Sequence, residues 1–146
     1  MTNEVKVYTG TQKTLEANGG SITNGSVVQA DDDTYSVASN GGGYPDAEFV
    51  LTVTFGTAPT EGTILALYAR PLDVDGTADT EAPEAGRPTQ YIGSFVVNNV
   101  TTAQTIVMRA YDLPALASYY LHNNATGQTV SAGWVLKVTP RTVGPV

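Results

Sequence analysis

The sequence of 146 residues contains no cysteine, a single histidine and a single tryptophan. Disulfide bonds and thiolate metal sites are therefore excluded, and so is a metal site built from several histidines. The absence of cysteine fits folding in a reducing cytosol. The first ten residues, MTNEVKVYTG, lack the apolar region of a secretory signal, so we expect no such signal.

Long apolar runs and basic residues are also scarce. No apolar stretch approaches the roughly 20 residues of a transmembrane helix, so we expect no membrane partner. Seven Lys and Arg stand against fourteen Asp and Glu, which gives a formal net charge of −7. Phosphate contacts need clustered Lys and Arg, so nucleic acid is a poor candidate partner. A chain of this length forms about one domain, which buries about 68–70% of its unfolded surface.

The chain is rich in Gly, Thr, Val and Ala, and its strongest periodicity is two. Alternation of apolar residues predicts half-buried strands in AEFVLTVTF, QYIGSFVV, TIVMRAY and TVSAGWVLKVT. In QYIGSFVV the alternation puts Tyr91, Phe95 and Val97 on one side. The nearly continuous apolar run TILALYAR predicts a central strand covered on both faces, and VKVY, SITNGSVVQA and DTYSVA are weaker strand signals.

The segments between these strands favour an antiparallel arrangement. GTAPTEGT, NNVTTAQ and NNATGQT have the composition and length of hairpin turns, so residues 116–138 are interpreted as a closing hairpin. The best helix candidate, TQKTLEAN, is short and contains the β-branched Thr11 and Thr14. About eight strands with almost no helix predict an all-β antiparallel sandwich or jelly roll.

Two segments do not follow the strand rhythm. Residues 1–20 are polar and are interpreted as an N-terminal arm, outside a sandwich domain of residues 21–146. An arm with so few apolar residues cannot, by its own burial, offset the conformational entropy that its backbone loses when it becomes ordered. We expect it to order against another chain, with EVKVY pairing to a sheet edge. The second segment is the acidic loop of residues 71–89.

The acidic loop is similar to a calcium loop in composition. With Gly76 laid on the glycine of an EF-hand, carboxylates fall at or near three ligand positions: Asp73, Asp75 and Asp79. The first ligand position, however, becomes Pro71, and the bidentate glutamate position becomes Ala82. A solvated loop is the favoured interpretation, and a calcium site of another type stays open. The run Asp31 to Asp33 is interpreted as a turn, with a cation as the alternative.

His122 is a candidate general base. A catalytic triad would combine it with Ser118 or Ser131 and with Asp112, but no nucleophile-elbow pattern accompanies these residues. A hydrogen-bonded surface histidine is the favoured interpretation. Glu48 is the most strand-like candidate for a glycosidase carboxylate, but it stands at the start of its strand.

Aromatic and glycine-rich stretches complete the candidates. Four aromatic residues could stack on a sugar: Tyr91, Tyr119, Tyr120 and Trp134. The alternation around Trp134 places it instead on an apolar face, in the core. The run GGGY at residues 41–44 lacks the Lys-Ser/Thr of a phosphate loop and is interpreted as a sharp turn. We therefore expect no catalytic, cofactor-binding or metal site and no enzymatic activity.

Four stretches of the chain carry a family resemblance. The resemblance covers roughly Ser21 to Pro140, together with the polar segment before Ser21. The stretches are that polar glycine-bearing arm, AEFVLTVTFGTAPTEGTILALYARPLD, YIGSFVV and LHNNATGQTVSAGWVLKV. In texture and strand order they resemble the jelly-roll decoration (cement) proteins of tailed-bacteriophage capsids. The resemblance implies a non-enzymatic protein that binds the major capsid protein on the outside of the shell, commonly as a homotrimer. No contact residue of the family carries over to this chain.

We thus expect a structural virion protein, assembled in the host cytoplasm and located on the capsid exterior. The alternative is a glycan- or receptor-binding sandwich of a phage tail or fibre, and a small hydrolase is third. Exposure separates the first two hypotheses. A glycan binder should display aromatic side chains on an open face, whereas a decoration protein should bury Trp134 and the tyrosines in the sandwich or a subunit interface.

Overall fold

The computed structural model describes residues 4–72, 80–87 and 90–145. Within these ranges the chain forms nine β-strands and no helix. The strands are β1 (Val5–Thr9), β2 (Lys13–Gly19), β3 (Val27–Ser36), β4 (Asp46–Val53), β5 (Ile64–Pro71), β6 (Tyr91–Val96), β7 (Gln104–Ala110), β8 (Leu116–Asn124) and β9 (Trp134–Pro145). The prediction of an all-β protein is confirmed.

The strands form two antiparallel sheets. In the first sheet β9 lies between β4 and the pair β1 and β2, and β7 is the neighbour of β4. The second sheet has the order β3, β8, β5, β6. From β2 onward every connection except the one between β5 and β6 crosses from one sheet to the other. This is the strand order of a double-sheet jelly roll.

The crossing connections correct the hairpin prediction. GTAPTEGT, NNVTTAQ and NNATGQT join β4 to β5, β6 to β7 and β8 to β9, and each pair of strands belongs to different sheets. Residues 116–138 are therefore a crossover and not a hairpin. The turn composition is the same in both cases, because a short loop can return a strand beside its neighbour or carry it over to the facing sheet. The GGGY run does make the predicted turn, with φ of 60° at Gly42 and 83° at Gly43.

The core lies between the sheets and follows the predicted alternation. Buried side chains occupy every second position of β4 and of the first half of β9: Phe49, Leu51, Val53, Trp134, Leu136 and Val138. β5 lies between β8 and β6, and its residues 65–69 are all buried. Its interpretation as a central strand is confirmed.

The predicted face of Tyr91 is wrong. The pairing of β6 with β5 shifts between Leu67 and Tyr68, so Tyr91 lies opposite Tyr68 while Gly93 lies opposite Leu67. This bulge reverses the alternation. Tyr91 consequently faces away from the core and is 58% exposed, while Phe95 stays fully buried.

Residues 5–9 and 13–19 of the segment interpreted as an arm form β1 and β2 of the first sheet, which corrects the arm prediction and the helix candidate. TQKTLEAN supplies most of β2, which pairs with β9 from Lys13 to Gly19. Leu15 is fully buried in the core. The ring nitrogen Nε1 of Trp134 donates a hydrogen bond of 2.7 Å to the carbonyl of Gly20. A domain boundary at residue 20 would therefore divide the sandwich, because it separates β2 from β9, the strand with which β2 pairs.

Candidate binding surface

The outer face of the first sheet collects most of the exposed apolar side chains. The side of this sheet that is turned away from the core is called the outer face. It continues across β7, β4, β9 and β1, because directly opposed residues of paired strands share a face. Eight large apolar side chains are exposed in the described ranges. Five of them lie on or beside this face: Val5, Val7, Val107, Tyr111 and Val143. They fall into two groups, one on β1 and the end of β9 and one on or just after β7, and exposed apolar side chains that are grouped in this way are a feature of binding surfaces.

β1 and the last residues of β9 form a two-stranded ribbon at one end of the outer face. β9 pairs with β4 only as far as Arg141, opposite Asp46, whereas it pairs with β1 as far as Pro145, opposite Val5. Residues 142–145 therefore have a described partner strand on one side only. A strand edge of this kind presents unpaired backbone groups to which another chain can add.

A pocket of about 240 Å³ lies on the outer face where the ribbon meets β4 and β7. It is lined by Val7, Thr9, Glu48, Arg109, Thr139 and Arg141. Strand register brings these groups together, since Glu48 lies opposite Arg109 on one side and opposite Thr139 on the other. Two arginines and one glutamate give the pocket a charge of +1, in a chain whose net charge is −7.

The charges in the pocket are only loosely paired. The Glu48 Oε2 atom lies 3.7 Å from Arg109 Nε and 4.0 Å from Arg141 Nη1. The Arg141 side chain is only 13% exposed. Asp46, which lies opposite Arg141, instead accepts a hydrogen bond of 3.0 Å from the backbone N–H of Asp112. The guanidinium groups therefore face the pocket with donors to spare.

A cluster of aromatic side chains lies on the outward side of the second sheet. Tyr68, Tyr120 and His122 are each 7% exposed there, and Ala82 packs over the two tyrosines. The Tyr68 ring centroid lies 6.0 Å from that of Tyr91 and 5.9 Å from that of His122. Burial, with a smaller contribution from Tyr91, raises the pKa of Tyr68. The cluster offers one exposed ring, Tyr91, beside a largely covered patch.

The structure does not bring His122 together with Ser118, Ser131 and Asp112, the residues considered for a catalytic triad. Its Nδ1 atom lies 3.5 Å from the Tyr68 hydroxyl. Ser118 is four residues away on the same strand, roughly 13 Å along it. Ser131 lies in the crossover after β8, where its N–H bonds to Thr54, and Asp112 lies near the start of β4. The prediction of a surface histidine is wrong in one respect, because His122 is buried.

The four aromatic residues considered as a sugar platform do not come together. Trp134 is 1% exposed and Tyr119 is fully buried, so both belong to the core, as predicted for Trp134. Tyr120 and Tyr91 lie on the outward side of the second sheet. Tyr68, which the sequence did not single out, is the residue that contacts Tyr91.

The carboxylates of Asp31 and Asp32 approach that of Glu16, with ligand atoms within 4.8 Å of one another. The predicted turn at Asp31 to Asp33 is instead the middle of β3, where its pairing with β8 is irregular. Backbone N–H groups donate to two of the three carboxylates: that of Ala17 to Asp32 at 2.6 Å and that of Asp31 to Glu16 at 3.2 Å. The hydrogen bond from Lys13 lowers the pKa of Asp33. The bonds of Ala17 and Asp31 join β2 to β3, and the cation alternative stays a hypothesis.

The acidic loop is described only in part. Asp73, Asp75, Gly76 and Asp79 lie outside the described residues, so the solvated loop stays a prediction and the calcium site its open alternative. The described part, residues 80–87, is held by ion pairs of Arg87 with Glu81 and Glu84 and by a hydrogen bond of 2.6 Å from Arg70 Nε to the carbonyl of Thr80.

No protein-family model matches this chain, and no curated protein matches it in sequence. Among the residues that the structure describes, no helix is long and apolar enough to cross a membrane.

The pocket is the feature that sequence reasoning missed. The sequence indicates Glu48 only as a candidate glycosidase carboxylate, and it does not indicate Arg109 and Arg141 as parts of a site. A signal was present, because both Glu48 and Arg109 occupy outward positions of their strands. Recognising their neighbourhood requires the register of β4 against β7 and β9, which residues 46–53 alone do not specify.

Proposed function

We propose that this chain is a non-enzymatic decoration (cement) protein that binds the major capsid protein on the outside of a tailed-phage capsid, as a homotrimer. The proposal is supported by the jelly-roll fold, which many virion proteins share with lectins and other classes. Because one fold hosts many functions, the surface has to carry the argument.

The observation that carries the proposal is the outer face of the first sheet. Apolar side chains at both its ends, Val5, Val7 and Val143 on the ribbon and Val107 and Tyr111 on or just after β7, are exposed to solvent. Between them lies a small charged pocket and not a deep cleft. An open sheet face with apolar ends and a charged centre suits contact with another protein.

Immunogold labelling with an antibody against this chain, applied to virions from a culture that produces the protein, tests its location on the capsid. We expect gold particles on the capsid exterior, and the absence of label from virions would contradict the proposal. Native mass spectrometry of the purified protein tests the trimer, and a monomer at micromolar concentration would contradict that part.

A second candidate function is glycan or receptor binding on a phage tail. It is favoured by one observation, the exposed ring of Tyr91 against Tyr68, because such rings can stack on sugars. A glycan array distinguishes the two functions. Binding that Tyr91→Ala removes and Val96→Ala retains would favour the second, since Val96 is exposed on the same strand. Label confined to tails would favour it as well.

A further inference from the structure

We propose that the pocket between β1, β4, β7 and β9 is a binding site for an aspartate or glutamate side chain of a partner polypeptide. The site rests on the proposed function only for the source of the carboxylate. The argument for its chemistry comes from the groups that line it: two guanidinium groups, two threonine hydroxyls, one carboxylate and the side chain of Val7.

The two arginines of the pocket have unfilled hydrogen-bonding capacity. A charge-assisted N–H to carboxylate bond spans about 2.7–2.9 Å, whereas the two contacts with Glu48 span 3.7 and 4.0 Å. Among the described residues, no hydrogen bond joins the guanidinium of Arg109 or Arg141 to another group. Each guanidinium has five N–H donors, so the single carboxylate leaves most of them to water.

The Arg141 side chain is largely buried. As a whole it is only 13% exposed, and a charged side chain with so little contact with water is costly unless it is paired. Among the described residues, Glu48 is the only carboxylate within 4.0 Å of the Arg141 guanidinium, and it is shared with Arg109, while the Asp46 carboxylate opposite Arg141 accepts a hydrogen bond from the Asp112 backbone N–H. A second carboxylate that enters the pocket would bridge the two guanidinium groups, and the hydroxyls of Thr9 and Thr139 could donate to its oxygens.

The pocket lies between exposed apolar side chains at the two ends of the outer face. Val7 lines the pocket, and the exposed Val107 lies two residues before Arg109. An extended partner segment has side chains that alternate. It can therefore place an acidic residue in the pocket and apolar residues on either side. This geometry favours a side-chain carboxylate over a chain terminus.

Glu48 gives the inference a consequence that a purely structural ion pair lacks. If a partner carboxylate binds, Glu48 repels it and competes for the same donors. Glu48→Gln should then strengthen carboxylate binding, while Arg141→Gln and Arg109→Gln should weaken it. Lys137→Gln is the matched control, because Lys137 lies on the outer face but outside the pocket lining.

The experiment is an NMR titration of the purified protein at about 150 mM ionic strength, where long-range fields are screened. The probes are the blocked peptide acetyl-Val-Asp-Val-amide, its Asn counterpart, and acetyl-Val-Val with a free C-terminus. We expect saturating shifts of the Arg109 and Arg141 Nε–H signals with the Asp peptide. Binding of the Asn peptide and binding by Arg141→Gln should each be roughly tenfold weaker or more. If Arg141→Gln does not fold, Arg109→Gln, on the more exposed β7, replaces it.

Four results would overturn the inference. The Asn peptide could bind as well as the Asp peptide, Lys137→Gln could lose as much affinity as the pocket variants, or Glu48→Gln could fail to strengthen binding. Tighter binding of the free C-terminus would move the site to a chain terminus and refute the side-chain assignment. None of these results bears on where antibody labels the virion, so the pocket and the proposed function fail separately.

Discussion

The role of the N-terminal segment can be tested by two deletions that differ by one strand. Removing residues 1–10 deletes β1, and removing residues 1–20 deletes β2 as well. β1 is mostly exposed, whereas β2 contributes Leu15, which is fully buried. Gly20 accepts the hydrogen bond of the Trp134 ring. We expect the shorter deletion to be tolerated and the longer one to destabilise the sandwich strongly.

The expected magnitudes follow from these contacts. Loss of a buried leucine side chain costs about 2–5 kcal/mol, and an unpaired ring N–H costs about 1–3 kcal/mol more. Their sum, roughly 3–8 kcal/mol, is comparable with the whole stability of a domain, about 5–15 kcal/mol. For β1, ordering five residues costs about 1–2 kcal/mol each. Backbone hydrogen bonds worth about 0.5–1.5 kcal/mol each offset much of that cost, so the net change should be small.

Urea unfolding followed by fluorescence measures both effects, because Trp134 is the only tryptophan and lies beneath β2. The deletion of residues 1–10 should leave the free energy of unfolding within about 1 kcal/mol of the full chain. The deletion of residues 1–20 should lower it by several kcal/mol and shift the emission to longer wavelength. An unchanged midpoint and emission after the longer deletion would refute the assignment of β2 to the core and restore the arm hypothesis.

Three further predictions concern the core and the loop. Trp134→Ala should lower the free energy of unfolding in urea by about 3–5 kcal/mol. The tryptophan emission of the wild-type protein should be blue-shifted and insensitive to quenching by iodide, and emission typical of a water-exposed indole would contradict the burial of Trp134. Burial raises the pKa of Tyr35 to about 12, so the native state should lose stability as the pH rises above about 10, the unfolded value. Tyr35→Phe should reduce that loss without abolishing it, because burial also raises the pKa of Tyr119 and Tyr68. Because the Tyr35 hydroxyl has no hydrogen-bond partner among the described residues, the variant should be as stable as the wild type at pH 7 or more stable by up to about 1–3 kcal/mol; lower stability of the variant at pH 7 would count against this reasoning. EDTA should leave the melting temperature unchanged, since only a metal bound to the native state would raise it, and a drop would revive the calcium hypothesis for residues 71–89.

The sequence alone was sufficient for the strands with strong alternation. In β4 and the first half of β9, apolar residues at every second position have no other way to be buried together, and Phe49, Leu51, Trp134 and Leu136 are in the core. The continuous apolar run of β5 identified a strand buried on both faces. These features are local, because the orientation of successive side chains in a strand depends on the backbone alone.

Tertiary structure decided which strands are neighbours. β2 has few apolar residues and weak alternation, and it is a strand because β9 offers an edge that has to be covered. The crossovers after β4, β6 and β8 could not be distinguished from hairpins, because loop composition does not record which sheet the next strand joins. Tyr91 faces outward because of a bulge in the pairing of β6 with β5.

The candidate site depends on tertiary structure most of all. Val7, Glu48, Arg109 and Arg141 come from four strands spread over almost the whole chain, and each is an ordinary outward-facing residue in its own segment. Sequence periodicity determined that the residues of β4 and β7 would point away from the core. Only the antiparallel register of β1, β9, β4 and β7 brings two arginines to one glutamate, because register is set by pairing between distant segments and a shift of one residue would turn these side chains to the opposite face.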